Sequence, residues 1–249
     1  MAWPLKSLFA GKKKPAFDLS SLGVDIHSHL IPGIDDGAKS MEESIELIEA
    51  LAGCGYRKLI TTPHIMHDLY PNTPEMIQQG ADALRAELRG RGIDILIEAA
   101  AEYYLDEHFL GLLEQGRLLS FGDSHVLFET SYTVRPFALH DHIYAMKSRG
   151  YRPVMAHPER YSYLHGSFDE YLRIKEMGVL FQLNLNSLAG YYSAPVKKAA
   201  EWIIEEGLVD FVGTDTHRLR HVGFFDKAQQ NPFFQKIFDK NTILNESLL

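Results

Sequence analysis

Histidine and acidic residues recur along this chain immediately after short apolar runs, where they could bind metal ions. The spacing i, i+2 occurs for His27 with His29 and again for Asp215 with His217. Because alternate residues of an extended segment point the same way, each pair can present both side chains to one ion. Imidazoles and carboxylates without cysteine are typical ligands of a catalytic cluster of divalent metals. The candidate metal ligands are His27, His29, Asp36, His64, Glu102, Glu129, His157, Asp215 and His217.

Several of these candidates also have a competing structural explanation. Asp35 and Asp36 lie between glycines, which is common turn chemistry, and one of the two carboxylates is expected to reach the cluster. His64 taken alone would more often be structural. Glu102 and Glu129 follow or end apolar runs, where a carboxylate is costly to bury unless a cation pairs with it. Their shared placement at strand ends favours the metal-binding interpretation.

Arginines near these residues could bind the oxygens of a phosphoryl group. Arg160 follows His157 by three residues, and a guanidinium is suited to bidentate contact with phosphate. The competing explanation for Arg160 is a surface ion pair with Glu159 or another acid. A protein of net negative charge also needs a locally positive rim to receive an anionic phosphoryl ligand. The candidates for this rim are Arg135, Arg160, Arg218 and Arg220.

Strand and helix patterns alternate along the chain and predict the elements that position the candidate ligands. Short apolar strands between helices indicate a parallel sheet that is buried on both faces. The predicted strands are Leu22–Ile26, Leu59–Thr62, Ile93–Ala100, His125–Phe128, Pro153–Ala156, Val179–Leu183 and Val209–Gly213. The predicted helices run from Ser40 to Gly53 or Gly55, from Pro74 to near Arg89, and over Glu107–Gln115, Pro136–Arg149, Phe168–Met177, Pro195–Glu206 and Pro232–Lys240. Ser40 in a capping box with Glu43, Thr73 and Asn231 are the predicted N-caps.

The distribution of ligands distinguishes an open sheet from a closed barrel. An open parallel sheet concentrates its site at one switch point between strands. Here at least six of the seven predicted strands end at a candidate ligand, and a barrel gathers its strand ends around one centre. We therefore predict a distorted (β/α)7 TIM-like barrel of the α/β class.

Length and composition limit the organisation of the chain and its partners. A length of 249 residues fits one large domain, expected over 21–249 after an N-terminal leader, 1–20. The net charge of −8 argues against a dedicated nucleic-acid binder. Cys54 is the single cysteine, which excludes an internal disulfide and favours a cytoplasmic location. Met1–Lys14 would make at most a peripheral membrane contact, and a frayed or packed leader is the preferred explanation.

The ordered motifs resemble those of the PHP (polymerase and histidinol phosphatase) superfamily. More narrowly, the chain is similar to its bacterial protein-tyrosine phosphatase branch, the CpsB/YwqE type associated with capsule and exopolysaccharide synthesis. The segments that carry the resemblance are Asp25–Gly37, Thr62–His64, Glu102, Glu129, His157–Arg160 and Asp215–His217. The long first segment is specific to this branch, because other branches usually have a different loop after the first histidine pair.

The resemblance implies the PHP fold and up to three metal ions. It favours Asp36 over Asp35 as a ligand, and it implies that Arg160 grips the phosphoryl oxygens with help from Arg218 or Arg220. Manganese is the implied metal, although the ligand set also admits iron, zinc or cobalt. The implied ligands are His27, His29, Glu102 and Asp215 for the first ion, Glu102, Glu129 and His157 for the second, and Asp36, His64 and His217 for the third.

The activity implied by the resemblance is metal-dependent hydrolysis of phosphotyrosine. The implied partner is the tyrosine-rich tail of a bacterial tyrosine autokinase that controls polysaccharide export. Two alternatives are a small-molecule phosphoesterase, such as a histidinol-phosphate phosphatase, and a noncatalytic scaffold that binds phosphotyrosine. The sequence has no P-loop, no G-x-S-x-G motif and no reactive-cysteine motif, so catalysis by a side-chain nucleophile has little support.

Overall fold

The computed structural model describes residues 19–249, in which short strands alternate with helices. The predicted leader over Met1–Lys14 lies outside the described residues. The strands are β1 (Val24–Asp25), β2 (Lys58–Thr61), β3 (His64–Ile65), β4 (Leu96–Ala99), β5 (Glu102–Tyr104), β6 (His125–Glu129), β7 (Arg152–Ala156), β8 (Leu180–Asn184) and β9 (Phe211–Gly213). The helices are α1 (Met41–Gly53), α2 (Pro74–Arg91), α3 (Glu107–Glu114), α4 (Leu139–Ser148), α5 (Phe168–Glu176), α6 (Leu185–Leu188), α7 (Ala194–Glu205), α8 (Leu219–Val222), α9 (Phe225–Gln229) and α10 (Pro232–Lys240).

Each predicted strand and helix is found, although several ends differ from the prediction. The predicted strand Ile93–Ala100 begins at Leu96, because the N–H of Ile93 donates to the carbonyl of Leu88 at 3.0 Å. Gly92 adopts the left-handed conformation there, so this bond closes the end of α2 and delays the strand. The short helices α6, α8 and α9 were not predicted, because they lack the length over which helical periodicity is visible.

Two of the predicted strands are followed, after a short break, by a second strand, β3 or β5, that was not predicted. Thr62–Pro63 separates β2 from β3, and Ala100–Ala101 separates β4 from β5. Proline has no N–H to donate, which limits its place within a ladder. The two breaks lie side by side and remain hydrogen-bonded to each other. The N–H of Ala100 donates to the carbonyl of Thr61 at 2.9 Å, and that of Glu102 donates to the carbonyl of Pro63 at 3.1 Å. β2 and β4 therefore belong to one sheet, and β3 and β5, which follow them, belong to the other.

All strand pairs in the described range are parallel. One sheet has the order β1-β2-β4, and the other has the order β3-β5-β6-β7-β8-β9. The register of β3 and β5 pairs His64 with Glu102 directly. This is the predicted α/β class with parallel strands, and it brings residues at the carboxyl ends of the strands to one edge.

The chain segments around the first and last strands are joined, although they lie far apart in sequence. An isolated parallel bridge pairs Ser28 with Thr216, just beyond the ends of β1 and β9. The amide of Asn245 spans the strands themselves, because its Nδ2 donates to the carbonyls of Val24 at 2.8 Å and Val212 at 2.7 Å. These contacts hold the first and last candidate ligand pairs beside each other.

The predicted N-caps are confirmed. The hydroxyl of Ser40 accepts from the N–H of Glu43 at 3.2 Å, while the Glu43 carboxylate accepts from the N–H of Lys39 at 2.7 Å. The capping box therefore closes one residue earlier than its usual form. Thr73 accepts from a first-turn N–H of α2 at 3.3 Å, and Asn231 does the same for α10 at 2.9 Å.

Apolar side chains pack on both faces of the strands. One face contributes residues such as Phe128 and Leu183 to a large cluster that includes the helices. The other face contributes Ile60, Leu127 and Phe211 to a small cluster between the strands. No helix within residues 19–249 combines the length and the apolar character needed to cross a membrane. The two clusters give the strand ends a packed support.

Candidate active site

The nine candidate metal ligands lie together at the carboxyl ends of the strands. Six of them end or closely follow a strand, and His64 and Glu102 begin the short strands β3 and β5. Asp36 comes from the loop before α1. Four groups have ligand atoms within 4.8 Å of one another, and each of the nine residues belongs to at least one group. The groups are His29, Asp36, His64 and His217; His27, His29 and Glu102; His27, His157 and Asp215; and His64, Glu102 and Glu129.

Glu102 is the most central of these residues. Its Oε2 lies 3.1 Å from Nε2 of His27 and 3.2 Å from Nδ1 of His64, and its Oε1 lies 3.0 Å from Nε2 of His157. Burial alone would raise the pKa of Glu102, but the neighbouring imidazoles outweigh burial and hold the pKa well below its usual range. Glu102 is therefore an ionised, fully buried carboxylate that faces several ligand groups at once.

Two acceptors outside the nine candidates orient the first histidine pair. Nδ1 of His27 lies 2.7 Å from Oε1 of Gln182, and Nδ1 of His29 lies 2.8 Å from Oδ2 of Asp35. Amide and carboxylate oxygens only accept, so each Nδ1 donates its proton and Nε2 is the nitrogen left to bind a metal. Both Nε2 atoms face Glu102 at 3.1 and 3.5 Å. This arrangement is typical of metal-binding histidines, whose second nitrogen bonds a nearby acceptor.

The structure separates the roles of the two aspartates that the sequence left open. Oδ1 of Asp36 lies 3.5 Å from Nε2 of His64 and 3.3 Å from Nε2 of His217, inside one of the four groups. Asp35 lies behind His29 and also accepts from the N–H of Gly37 at 2.8 Å. Burial alone would raise the pKa of Asp35, but the His29 imidazole outweighs it and lowers the pKa. Asp36 is thus the aspartate placed to bind a metal, and Asp35 is placed to orient a histidine.

Two candidate ligands have backbone conformations that are rare outside glycine. His157 has φ 33° and Asp215 has φ 52°, both in the left-handed region. Each follows closely after a strand, β7 or β9, and the turn aims its side chain back toward the cluster. Non-glycine residues in this region are commonly held there by surrounding structure at functional sites. The unusual backbone conformations of His157 and Asp215 therefore indicate the same candidate site as the grouping of their side chains.

The donor set fits a bound cation. Nδ1 of His64 lies 3.1 Å from Glu129 and 3.2 Å from Glu102, yet it has no hydrogen-bond partner among the described residues. A nitrogen that faces two carboxylates without bonding to either is suited to sharing a metal ion with them. Burial alone would lower the pKa of His64, but the Glu102 carboxylate outweighs it and raises the pKa to about 9. The surplus of buried carboxylates thus attracts positive charge.

A cavity of about 710 Å³ opens beside the cluster and includes three of the four predicted arginines. Arg160 reaches into it and donates from its NH1 nitrogen to Oδ2 of Asp215 at 2.8 Å. Arg218 also lines the cavity and donates to the carbonyl of His217 at 2.9 Å, whereas Arg220 is exposed at the edge. The prediction that Arg135 lines the rim is wrong, because its guanidinium pairs with Glu170 at 2.7 Å outside the cavity.

The sixth predicted strand, Val179–Leu183, has no candidate ligand at its end. In the structure, β8 supplies Gln182 beside His27 and Asn184 beside Asp215, the latter through a 2.9 Å bond from Nδ2 to Oδ2. Polar residues within an otherwise apolar strand were the available signal. The aromatic residues Tyr132 and Tyr192, which also line the cavity, were likewise missed.

Parallel strands that gather histidines and carboxylates beside an arginine-lined cavity define an α/β protein with a candidate metal centre. The family model described as "Capsular polysaccharide synthesis, CpsB/CapC" matches residues 23–223. The chain therefore belongs to the CpsB/CapC family, and the resemblance to the CpsB/YwqE type is confirmed.

Similar proteins are named for one activity. The chain is 30% identical over 202 residues to the tyrosine-protein phosphatase YwqE of Bacillus subtilis, covering 81% of this chain and 80% of the relative. It is 26% identical over 211 residues to the putative tyrosine-protein phosphatase CapC of Staphylococcus aureus, covering 84% and 82%. A solved chain from crystal structures of YwqE from Bacillus subtilis and CpsB from Streptococcus pneumoniae, described as unique metal-dependent tyrosine phosphatases, superposes with a TM-score of 0.80. That match has 29% identity and covers 90% of each chain.

Proposed function

We propose that this protein is a metal-dependent tyrosine-protein phosphatase. The observation that carries the proposal is the convergence of nine histidine and carboxylate candidates beside a cavity that also contains the Arg160 guanidinium. Its relatives are named tyrosine-protein phosphatases, and the superposed solved structure is described as metal-dependent. Divalent cations held by such ligands would activate a water molecule and neutralise charge on phosphoryl oxygens.

The proposed ligand sets are those that the family resemblance implies, and each shares at least two residues with a group found in the structure. The structure differs from them in grouping His157 with His27 and Asp215, and in placing His64 with Glu102 and Glu129. Glu102 is the proposed bridge between the first and second ions, because each of its oxygens faces a different histidine. Manganese is the proposed metal, and two or three ions are expected. The proposed sets are His27, His29, Glu102 and Asp215; Glu102, Glu129 and His157; and Asp36, His64 and His217.

The remaining cavity residues suit an aryl phosphate. Arg160 would bind phosphoryl oxygens through the N–H groups that Asp215 does not occupy, and Arg218 or Arg220 would supply further positive charge. Tyr104 and Tyr191 give the cavity aromatic walls that can accommodate a phenol ring. The leaving tyrosinate has a conjugate pKa of about 10, so it needs less protonation than an alkoxide.

The substrate and its setting follow from the family. Membership in a family of capsular polysaccharide synthesis supports a phosphotyrosine protein of that pathway as substrate. Within it, we propose the tyrosine-rich tail of a bacterial tyrosine autokinase. Such a kinase tail would meet this protein in the cytoplasm, the location that the single Cys54 also favours.

The fold proposed for this activity is the distorted (β/α)7 barrel, formed by a single domain over 21–249. The Ser28–Thr216 bridge and the Asn245 amide support closure between the first and last strands. The hydroxyl of Thr214 adds a third link, because it donates to Oδ2 of Asp25 at 2.7 Å. Small-angle scattering and limited proteolysis would test whether 21–249 behaves as one compact unit.

A substrate panel tests the proposed activity. Manganese-loaded protein should release phosphate from a phosphotyrosyl peptide much faster than from a phosphoseryl peptide, histidinol phosphate or short DNA. Chelation should abolish the release, and manganese should restore it. Rapid turnover of histidinol phosphate with none of the peptide would establish the small-molecule alternative. Peptide binding without metal-dependent phosphate release would establish the scaffold.

A further inference from the structure

Two tyrosine rings lie against the guanidinium of Arg160. Its central carbon is 4.6 Å from the centroid of the Tyr132 ring and 4.2 Å from the centroid of the Tyr192 ring. A guanidinium over an aromatic face is attracted by the ring quadrupole, and the attraction grows when the pair is shielded from water. The side chain of Arg160 is only 19% exposed, so this group is largely shielded.

The Tyr132 ring is held in place although it lies at the surface. The backbone carbonyl of Tyr132 accepts from the N–H of Ser162 at 2.7 Å and from the Ser162 hydroxyl at 2.9 Å. Its own hydroxyl donates to Oε2 of Glu129 at 3.3 Å. The loop after β6 is thus bonded to the turn that follows Arg160, and the ring is fixed at both ends.

The Tyr192 ring is fixed by a second set of bonds. Its hydroxyl accepts from Nδ2 of Asn184 at 2.9 Å and donates to Oδ2 of Asp215 at 3.3 Å. That carboxylate oxygen also accepts from Arg160 at 2.8 Å. Arg160 is therefore held by a hydrogen bond to Asp215 and by contact with the two rings.

We propose that Tyr132 and Tyr192 are positioning residues that hold the Arg160 guanidinium in the orientation needed to bind a phosphoryl group. We call these two rings with Arg160 the aromatic clamp. A guanidinium has five N–H donors, and contact with the rings uses none of them, so the donors that Asp215 does not occupy remain for the ligand. An unrestrained arginine would lose rotamer freedom on binding, and the clamp removes part of that entropic cost beforehand. This inference rests on the proposed phosphatase function.

Binding of inorganic phosphate to the manganese-loaded full chain tests the clamp without requiring turnover. Calorimetry would compare the wild type with Tyr132→Leu, Tyr192→Leu and the matched Phe variants. Each Leu variant should bind phosphate about 10-fold more weakly, while each Phe variant should stay within about 3-fold of wild type, because the ring supplies the contact. Tyr144→Leu on α4 is the control, because Tyr144 is exposed and does not line the cavity.

A double-mutant cycle shows whether the rings act through the arginine. In an Arg160→Ala background, the Leu substitutions should cause no further loss of phosphate affinity. Manganese content and melting temperature are measured for every variant, and the exposed position of Tyr132 makes its Leu variant the one best able to fold. Unchanged phosphate affinity in both Leu variants, or the same loss with and without Arg160, would overturn the clamp.

The same experiment distinguishes failure of the aromatic clamp from failure of the proposed phosphatase function. If Arg160→Ala weakens phosphate binding and the Leu variants do not, the clamp is wrong and the proposed role of Arg160 stands. If Arg160→Ala binds phosphate as the wild type does, the role of Arg160 and the clamp are both wrong. If all variants bind as expected but no phosphotyrosyl peptide is hydrolysed, the clamp stands and the proposed function fails.

Discussion

Oε1 of Gln182 accepts a hydrogen bond from Nδ1 of His27 at 2.7 Å, although the two residues are 155 positions apart. The bond sets which nitrogen of His27 carries the proton and turns Nε2 toward Glu102. A side chain of β8 thereby orients a candidate metal ligand that follows β1.

Removing this acceptor should weaken metal binding. We expect Gln182→Leu to lower manganese affinity about 10- to 100-fold, because His27 loses the partner that fixes its tautomer and ring orientation. Gln182→Glu keeps an acceptor at the same position and should retain more of the affinity. Manganese titration followed by electron paramagnetic resonance measures both. Wild-type affinity in the Leu variant would show that the bond does not prepare the ligand.

Substitution of Glu102 should have a larger effect on catalysis. Glu102→Gln removes the charge that faces His27, His64 and His157, and it leaves one acceptor oxygen in place of two. We expect at least a roughly 100-fold fall in kcat for a phosphotyrosyl peptide, together with reduced bound manganese. Phosphate release and elemental analysis provide the two readouts. Glu114→Gln, at an exposed position of α3, is the matched control and should match wild type.

Gly37 should be intolerant of any side chain. A Cβ at this position would lie 2.3 Å from the carbonyl oxygen and 2.5 Å from Cβ of His29. We expect Gly37→Ala to lower the free energy of unfolding by about 1–3 kcal/mol, measured by urea unfolding, because the loop must move away from His29. Gly90→Ala, within α2 and with nothing near its Cβ, should instead stabilise by about 0.5–1 kcal/mol. Equal effects of the two substitutions would contradict this account.

Asn245 should be important for stability although it is far from the cavity. It is fully buried, and its amide bonds to the carbonyls of Val24 and Val212 and to the N–H of Val212. We expect Asn245→Ala to destabilise by roughly 2–3 kcal/mol, because it leaves several buried backbone groups without partners. Amide hydrogen exchange at Val212 should accelerate. Ser247→Ala, in the same terminal turn but exposed, serves as control.

His125 should make the protein sensitive to acid. It is buried between Phe121 and Phe211, and neither ring nitrogen has a hydrogen-bond partner among the described residues. Burial, followed by the charge of Arg152, lowers the pKa of His125 below its ordinary value of 6.5. The unfolded chain therefore binds the proton more readily, so the free energy of unfolding should fall as the pH drops below 6.5 toward the lowered pKa.

Replacement of this histidine tests the source of the acid sensitivity. His125→Phe should give a shallower loss of stability between neutral pH and about pH 5, because the group that must take up a proton is gone. Urea unfolding at several pH values measures the slope. His67→Phe, at an exposed position, is the control and should leave the slope unchanged. An unaltered slope in His125→Phe would assign the sensitivity to other groups.

The strand ends and the candidate ligands at them could be predicted from the sequence. The contacts between strands, and the side chains that support the ligands, could not. His64 and Glu102 could be found because a polar residue directly after an apolar run is a local pattern. The interruptions that make them the first residues of β3 and β5 depend on how Thr62–Pro63 and Ala100–Ala101 meet in space. The alternation of apolar and polar residues along one strand gives no information about its contacts with another strand.

The partners of the residues that support the candidate ligands could not be predicted, for the same reason. Gln182 and Asn184 matter because β8 lies beside β7 and β9, and nothing near them in sequence indicates a histidine or aspartate partner. Asp35 and Asp36 are adjacent and chemically identical, so only the loop conformation assigns them. Arg135 was misplaced because an exposed arginine can pair with any acid within reach, and Glu170 was not visible from the chain order.

The left-handed backbone at His157 and Asp215 has a consequence for how this chain would change over generations. Glycine adopts that conformation more readily than histidine or aspartate does. If selection for catalysis were relaxed while selection for stability continued, these two positions would be the first to drift toward glycine. Decay of activity in a descendant lineage should therefore leave its earliest traces at 157 and 215, with the surrounding strands still intact.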